Sequence, residues 1–364
     1  YTYNPPYNRH IFDKDFSFLD YSTHVSVPRG VIFVPDDYEK IQWAVDSASA
    51  GDTIIVRDGT YVENIDINKP HLTIKSENGS AKCVVQAKNS NDHVFEVKAD
   101  YVNISGFTVK GSTGSGKAGI YLRSSKYSKI ENTTITNCYS GIWLWFSNNN
   151  SILNSIFQNN GDKNIDILSS NYNIVVGNEL LACSEGISVV GSSYNKIVSN
   201  KFEGSSTNIY ISYSEYNLIQ RNEIRYSTIA GITLYGNNNV IKENTIRNNN
   251  KGIYIYSADS NLIFLNNIMY NIVNVDSSNS LNFWNSTERI TYTYEGKTYT
   301  NYMGNYWDDY TGSDADGDGI GDIPYSIDGD KDYYPLIERF ENYFGGVEEE
   351  YNPKLSVPDI APLQ

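Results

Sequence analysis

The stretch GISVVGSSYNKIVSNKFEGSSTNIYIS, residues 186–212, decides the fold. Two short β runs, ISVV and NKIVSNKF, are separated by glycine, serine and asparagine, and at Asn208 the pattern starts again. The same short strand recurs as GIYLR at 119, GIWLW at 141, NIDIL at 164, GISVV at 186, NIYIS at 208, GITLY at 231 and GIYIY at 252, in steps of 21 to 23 residues. Asn173, Asn195, Asn217, Asn239 and Asn261 keep a period of 22, and so do Asn178, Asn200, Asn222, Asn244 and Asn266. A unit of this size cannot bury its own apolar face, so neighbouring units must stack as coils. Stacked coils lie about 4.8 Å apart, as adjacent strands do, which lets equivalent asparagines hydrogen-bond along the stack. The fold expected is all-β: a single-stranded right-handed parallel β-helix of about 22 residues per coil, with an N-terminal capping helix and a C-terminal calcium-loop cap.

Register assigns the faces. The second and fourth residues of each marker strand are apolar, for example Ile142 and Leu144 or Ile187 and Val189, so they face inward. The third and fifth positions then face outward and include Tyr121, Trp143, Trp145, Tyr210, Tyr235, Tyr254 and Tyr256. A row of outward aromatics makes an amphipathic platform, suited to glycan stacking or to a protein interface. Cys138 and Cys183 both fall 19 residues after the start of their strand, two coils apart. That spacing, roughly 9–10 Å, is beyond disulfide reach, so these are expected to be core thiols.

A β-helix end exposes strand edges and needs a cap. DYEKIQWAVDSAS, 37–49, places Tyr38, Ile41, Trp43, Ala44 and Val45 at near-helical spacing, with Asp36 or Asp37 as N-cap. The organisation expected is an extended arm over 1–30, the β-helix over 31–300, a C-terminal cap over 301–345 and an extended tail over 346–364. Both terminal segments lack the repeat and contain prolines, which suits them to grasping a neighbouring subunit by strand addition.

The bulk numbers agree with a secreted protein. Over 364 residues, 43 acidic side chains face 28 basic ones, a net charge of −15 that gives no footprint for nucleic acid. No run of about 18 apolar residues suggests a membrane span. The chain begins at Tyr1, as removal of a leader or trimming would leave it. Sequons stand at Asn78, Asn103, Asn132, Asn149 and Asn285. Asn132 reads as part of the inward ladder, where glycosylation is not expected, and the acceptor candidates are Asn78, Asn103 and Asn285.

DADGDGIGD, 314–322, reads as a calcium loop. Asp314, Asp316, Asp318 and Asp322, with Gly319 at the sharp turn and Ile320 offering a backbone carbonyl, match positions 1, 3, 5, 9, 6 and 7 of an EF-hand-type loop. Position 12 is Tyr325 in place of the usual Glu, so Asp328, Asp330 or Asp332 are the candidates to close the site. Carboxylates this close repel one another unless a cation intervenes; the alternative is a solvated acidic turn. The role expected is structural, with aromatics of NYWDDY, 305–310, packed beneath.

IQWAVDSASAGDTIIVRDGTYVENIDINKPHLTI, the recurrent GIxL…NxIxxN coils and NYMGNYWDDYTGSDADGDGIGDIPYSIDGDKDYYPL together resemble the NosD-like, pectin-lyase-fold repeat proteins common in archaeal envelopes. The resemblance covers roughly residues 30–340. It implies a surface β-helix; the founding type is linked to copper-site assembly in nitrous oxide reductase. Here four histidines (His10, His24, His71, His93) and two methionines form no ligand-like pair. Acids and bases in register on adjacent coils, such as Glu179, Lys201 and Glu223, or Arg221 and Glu243, alternate in sign and read as ion pairs. No carboxylate pair or Ser–His–Asp set emerges, and Asp166 stands alone among Trp143, Ser188 and Tyr210. The functional reading is a non-catalytic extracellular subunit of an envelope, sheath or filament that self-associates into an oligomer or polymer and carries structural Ca²⁺. The alternative is a β-helix that binds cell-surface glycans or cleaves polysaccharide.

Overall fold

The computed structural model describes residues 30–344. The expected arms therefore lie outside the described residues, apart from Gly30, whose N–H donates to Asp52 Oδ1. The chain winds through three parallel sheets of 11, 10 and 11 strands, each strand bonded to its equivalents one coil before and one coil after. The ten-stranded sheet carries the marker strands, from Ile65–Ile67 through Ser140–Trp145 to Val273–Ser278. Ile142 pairs with Ile120 on one side and Ile165 on the other, and Ile187 with Ile165 and Ile209, so the inward columns stack in register as expected. The other two sheets add columns such as Ile152–Val175–Ile197–Ile219 and Phe157–Leu180–Phe202–Ile224, all closed to solvent. Each buried Ile, Leu or Phe contributes about 1.5–3 kcal/mol, so every coil supplies several such increments.

Corners are the harder problem, because there the backbone leaves the ladder. One residue per corner takes the left-handed region, among them Tyr194 (φ 61°), Ser199 (53°), Arg221 (55°) and Glu243 (57°). The next residue's N–H is met by a side chain of the following coil. The Asn173 N–H donates to Asn195 Oδ1 at 2.8 Å, the Asn195 N–H to Asn217 Oδ1 at 2.9 Å, and the Asn217 N–H to Asn239 Oδ1 at 2.9 Å. Each Nδ2 donates onward to the next Oδ1 and back to a carbonyl of the previous coil, as Asn217 Nδ2 does to Ser192 O at 3.1 Å. A second ladder runs Thr133, Ser155, Asn178, Asn200, Asn222, Asn244, Asn266. A serine ladder at another corner links Ser125, Ser147, Ser170, Ser192 and Ser214. Asn132 corrects the sequence reading: it is exposed, at φ 51°, and the inward ladder position belongs to its neighbour Thr133.

The N-terminal cap also differs in detail. Val31–Val34 already forms a strand, paired with Thr53–Val56, before the helix Ile41–Ser47 closes the end with Ile41, Ala44 and Val45. Neither Asp36 nor Asp37 caps it. Asp36 pairs with Arg57 and Asp37 accepts from the Phe33 N–H, while Glu63 of the next coil receives the Ile41 and Gln42 N–H groups at 3.0 Å each. Trp43 points outward beneath Lys40 Nζ, 4.6 Å from its ring centroid.

At the other end the second ladder jumps from Asn266 to Asn305, across an inserted antiparallel hairpin, Ile290–Tyr294 with Lys297–Asn301. Trp284 and Trp307 plug the core there, and Tyr325 stacks on Trp307 with centroids 4.2 Å apart. Beneath Trp307 sits Asp332, fully buried, accepting from Trp307 Nε1 at 2.9 Å and from the Asn305 and Tyr334 N–H groups at 2.8 and 3.0 Å. Burial pushes its carboxyl up from 3.8 to about 6, against the donors that favour the anion.

Two outcomes follow from this architecture. Asn217→Ala orphans the Asn195 N–H and further buried groups, at roughly 1–3 kcal/mol for each buried group left unpaired. Its denaturation midpoint should fall well below wild type, whereas Tyr213→Ala, at a position 85% exposed, should leave it unchanged. For Asp332 the folded pKa lies above the unfolded one, so the neutral form is favoured on folding. The stability this confers is complete below about pH 4 and lost as pH rises through about 6. A shift of about two units is worth roughly 3 kcal/mol. The stability difference between wild type and Asp332→Asn, measured by urea unfolding, should therefore widen as pH falls from 7 to 4; a difference independent of pH would contradict the assignment.

Candidate functional site on the outer face of the marker sheet

Outward positions of the marker strands form two columns. One reads Glu96, Tyr121, Trp143, Asp166, Ser188, Tyr210, Thr233, Tyr254, Asp276. The second contains Arg123, Trp145, Leu168, Val190, Ser212 and Tyr235, and Tyr256 lies at the equivalent place one coil on. The aromatic row expected from sequence is thus broken into two groups. In the first, His93, Tyr121 and Trp143 stack along the helix axis at 4.4 and 4.7 Å, with Trp145 and Phe146 alongside. Tyr121 is buried by this stack, contrary to its expected exposure, while Trp143 and Trp145 are half-buried and Arg123 lies 5.3 Å over Trp145. Burial also pulls the His93 imidazole down to about 4, and its Nδ1 accepts the Ala118 N–H at 3.0 Å. The second group, Tyr210, Tyr235, Tyr254 and Tyr256, meets edge-on or tilted at 5.7 to 6.2 Å.

Between the groups lie two coils with a polar centre. Lys163 Nζ pairs with Asp166 Oδ2 at 3.4 Å, and Glu185 stands beside Lys163 in register. Burial raises the Asp166 pKa more than Lys163 lowers it. For Lys163, burial works against the charge, but Asp166, Glu185 and Asp162 outweigh it and the pKa stays raised. Three polar atoms at this spot, Trp143 Nε1, Glu185 Oε2 and Ser188 Oγ, are buried without a hydrogen-bond partner. Periodicity could not have found them, since it marks positions and not unmet hydrogen bonds. A stack missed in the sequence, Tyr172–Tyr194–Tyr216 at 5.0 and 5.1 Å, sits on a corner and was visible as a 22-residue tyrosine spacing.

In the acidic loop the structure brings Asp314, Asp316 and Asp318 together, with one carboxylate oxygen from each within 4.8 Å of the others. Asp318, more than burial, raises the Asp316 pKa through its charge. Asp314 also accepts from the Gly317, Asp318 and Gly319 N–H groups, and Ile320 donates its N–H to Asp318 Oδ1. Asp322 turns instead to the Ala315 N–H. Asp328 and Asp330 are drawn away: Asp328 accepts from the Ser277 N–H, and Asp330 from the Asn282 N–H and Trp284 Nε1. They hold a second hairpin, Tyr325–Ile327 with Asp330–Asp332, to the last coils, because those coil ends present N–H groups with no further coil to meet them. The aromatics under the loop come mainly from the inserted hairpin: Tyr292 OH donates to Asp318 O and Tyr299 OH to Gly317 O, each at 2.8 Å. Gly319 (φ 86°) lies against Tyr294 and Tyr343, where a Cβ would come within 2.7 Å of both rings.

Elsewhere the expected ion pairs form, Lys201 to Glu179 and Arg221 to Glu243, each at 2.7 Å. Cys138 is buried and Cys183 largely so, both unpaired, with burial pushing each thiol up to about 11. Of the sequon asparagines, Asn78 is exposed, and Asn103 and Asn285 are half-buried. No helix among the described residues is long and apolar enough to cross a membrane.

Comparison with known proteins gives the family. The model for the periplasmic copper-binding protein (NosD) matches residues 45–210 and 102–312, most of the chain. A cell surface glycoprotein of Methanothermus fervidus is 40% identical over 111 residues, a match spanning 30% of this chain and 17% of that protein. Solved structures of similar shape include ORF18 of Geobacillus virus E2, with TM-score 0.59, 16% identity, and coverage of 69% of this chain and 60% of that one. The A-module of the Azotobacter vinelandii mannuronan C-5 epimerase AlgE4 gives 0.57, 17%, 70% and 79%, and pectate lyase Pel9A gives 0.56, 14%, 69% and 77%. At such identities these three show the fold alone. Copper does not fit the described residues: His71 stacks on Tyr101, His93 spends Nδ1 on the backbone, and Met269 and Met303 are buried apart in the core and cap. The family match and the glycoprotein relative support a place outside the cytoplasm, at the surface or in the periplasm. Matched over most of its length by that model, the chain belongs to the NosD family.

Proposed function

We propose that this chain is a non-catalytic extracellular structural subunit of a cell envelope, sheath or filament that self-associates. The observation that carries the reading is the apolar exposure on its last coils: Tyr256, Tyr270, Ile272, Val273, Leu281 and Phe283 are all exposed, Ile272 at 81%. A rigid rod with such side chains at one end and an aromatic outer face presents surface that association between copies would bury. The terminal segments 1–30 and 346–364, the strand-adding arms of the sequence reading, belong to the same proposal. The relative named as a cell surface glycoprotein supports the setting.

Calcium is the second part of the proposal. Asp314, Asp316 and Asp318 offer hard oxygen donors whose mutual repulsion a divalent cation relieves. Bound there, the ion clasps the cap between the inserted hairpin and the core. A second reading, carbohydrate binding, is favoured by the aromatics that keep exposed surface on the marker face, Trp143, Trp145, Tyr210, Tyr235, Tyr254 and Tyr256.

Sedimentation velocity and electron microscopy test association: oligomers or filaments should grow with concentration, and Ile272→Lys with Tyr256→Lys should disperse them. Monomers at every concentration would overturn this reading. For the clasp, millimolar Ca²⁺ should raise the melting temperature relative to EGTA, by an amount equivalent to about 2.7 kcal/mol at a hundredfold excess over the dissociation constant. Asp316→Asn should abolish that increment; equal melting with and without Ca²⁺ would remove the ion from the proposal.

A further inference from the structure

We propose that Asn149 carries an N-linked glycan whose first pyranose ring fills a gap between Tyr127 and Tyr172 in an aromatic column along one corner of the rod. This depends on the setting outside the cytoplasm, and on neither self-association nor calcium.

The residue just before each position of the first asparagine ladder belongs to a column of its own. Ser128, Asn150, Asn173 and Asn195 are successive ladder positions, since the N–H of each is met by the side chain of the next. Tyr127, Asn149, Tyr172 and Tyr194 therefore share one corner, and the first three share its left-handed backbone at φ 57°, 59° and 59°. Along this corner His71, Tyr101 and Tyr127 stack at 4.5 and 4.9 Å, and Tyr172, Tyr194 and Tyr216 at 5.0 and 5.1 Å. Asn149 is the place in the column where aromatics stand on both sides of a missing ring; past Tyr216 it runs out into Asn238 and Ser260. Tyr127 and Tyr172 lie two coils apart, about 10 Å by strand spacing. One flat ring midway would meet each at the distance the neighbouring rings already keep.

The interruption falls on a sequon, Asn149-Asn150-Ser151, whereas Asn238 heads Asn-Asn-Val. Of the three consecutive asparagines 148–150, the outer two are engaged. Asn148 Oδ1 accepts the Asn171 N–H at 2.7 Å, and Asn150 Nδ2 donates to Ser125 O and Asn173 Oδ1. The Asn149 side chain is partly exposed and makes no hydrogen bond among the described residues, and both its amide atoms reach solvent. Tyr172 is 45% exposed and stacks on Tyr194, on the side away from Asn149. In the modification, Nδ2 attacks the anomeric carbon of a sugar activated on a lipid-linked phosphate. The N–C1 bond forms, the C1–O bond breaks, the lipid phosphate leaves with the electron pair, and the amide gives up one proton. The sugar then hangs from Nδ2 at the reach of a tyrosine ring, with its apolar C–H face against the ring face of Tyr172.

For the test, protein purified from the cells that make it is digested with trypsin. The peptide 130–163, which holds the sequons of both Asn132 and Asn149, is fragmented by electron transfer to place the sugar. A glycan should sit on Asn149. A bare Asn149 overturns the site, and sugar on Asn78, Asn103 or Asn285 beside it would do so while sparing the extracytoplasmic setting. Asn149→Gln and Ser151→Ala break the sequon from either end; each should lose the sugar and melt about 1–3 °C lower. Asn149→Tyr, which puts a ring in the gap without a sugar, should recover that loss. Tyr172→Ala should keep the sugar, and adding Ser151→Ala to it should lower melting by less than half as much. A glycan whose contribution survives Tyr172→Ala in full projects into solvent, and the stacked ring is then wrong.

Discussion

Each corner of the β-helix produces a backbone N–H that its own coil cannot satisfy, and the coil that follows supplies the acceptor. The amide of asparagine suits this task because it also donates: one side chain receives the Asn195 N–H and Nδ2 and passes two hydrogens on, to Asn239 Oδ1 and Ser192 O. A coil stacked without that acceptor would hold those groups unpaired and buried, a cost of several kcal/mol per corner. The ladder therefore couples neighbouring coils as firmly as the apolar columns do, and it fixes their register. A coil that slipped by one residue would lose its side-chain acceptors and turn its isoleucines outward at the same time. Ends become the weak points of such a design, because a ladder has to stop on something. Glu63 and the helix end it on one side, and Asn305, Asp332 and the two tryptophans on the other.

That logic explains what could be read from the sequence. The coils were legible because one residue type at one period does the work: Asn173 to Asn261 and Asn178 to Asn266 announce both ladders, and the alternation in GISVV announces the inward face. The caps were only half legible. Glu63 caps a helix 22 residues earlier, and Asp332 anchors Trp307 from 25 residues away, each once and without repetition, so no period betrays them. Asp36 and Asp37 looked like N-caps because local spacing favours them, but Arg57 and the Phe33 N–H compete for their carboxylates. Asn132 misled for a similar reason. In the earlier coils the ladder runs through the Thr133 N–H and the Ser155 hydroxyl that accepts it as an amide oxygen does, so no asparagine marks the position and Asn132 beside it takes its look.

The candidate site divides along the same line. Outward aromatics followed from register alone, and the structure keeps them on that face. Their exposure did not follow, because it depends on what stacks on what: Tyr121 disappears between His93 and Trp143. The acidic loop was legible in composition, and Asp314, Asp316 and Asp318 do converge, but Asp328 and Asp330 have nearer donors at the unfinished edge of the last coils.

Because the ladders and columns settle stability inside the helix, the outer faces are free to differ, and they do. On the sheet that carries Glu179, Lys201, Glu203, Glu223, Arg225 and Arg247, charges of opposite sign meet across coils, with Arg225 Nε left unmet. Such pairs, still in reach of solvent, contribute about 0–1 kcal/mol each. The marker face follows another rule. It concentrates aromatics, holds the ion pairs Lys163–Asp166 and Lys251–Asp276 partly buried, and leaves an indole N–H, a carboxylate oxygen and a hydroxyl without partners within two coils of one another. Natural sequences break such rules in one or two places and make up the cost elsewhere, here in the ladders and columns beneath. A fold this repetitive offers few places where one coil departs from its neighbours, so the departure at Asp166 and Ser188 is informative in proportion to the regularity around it.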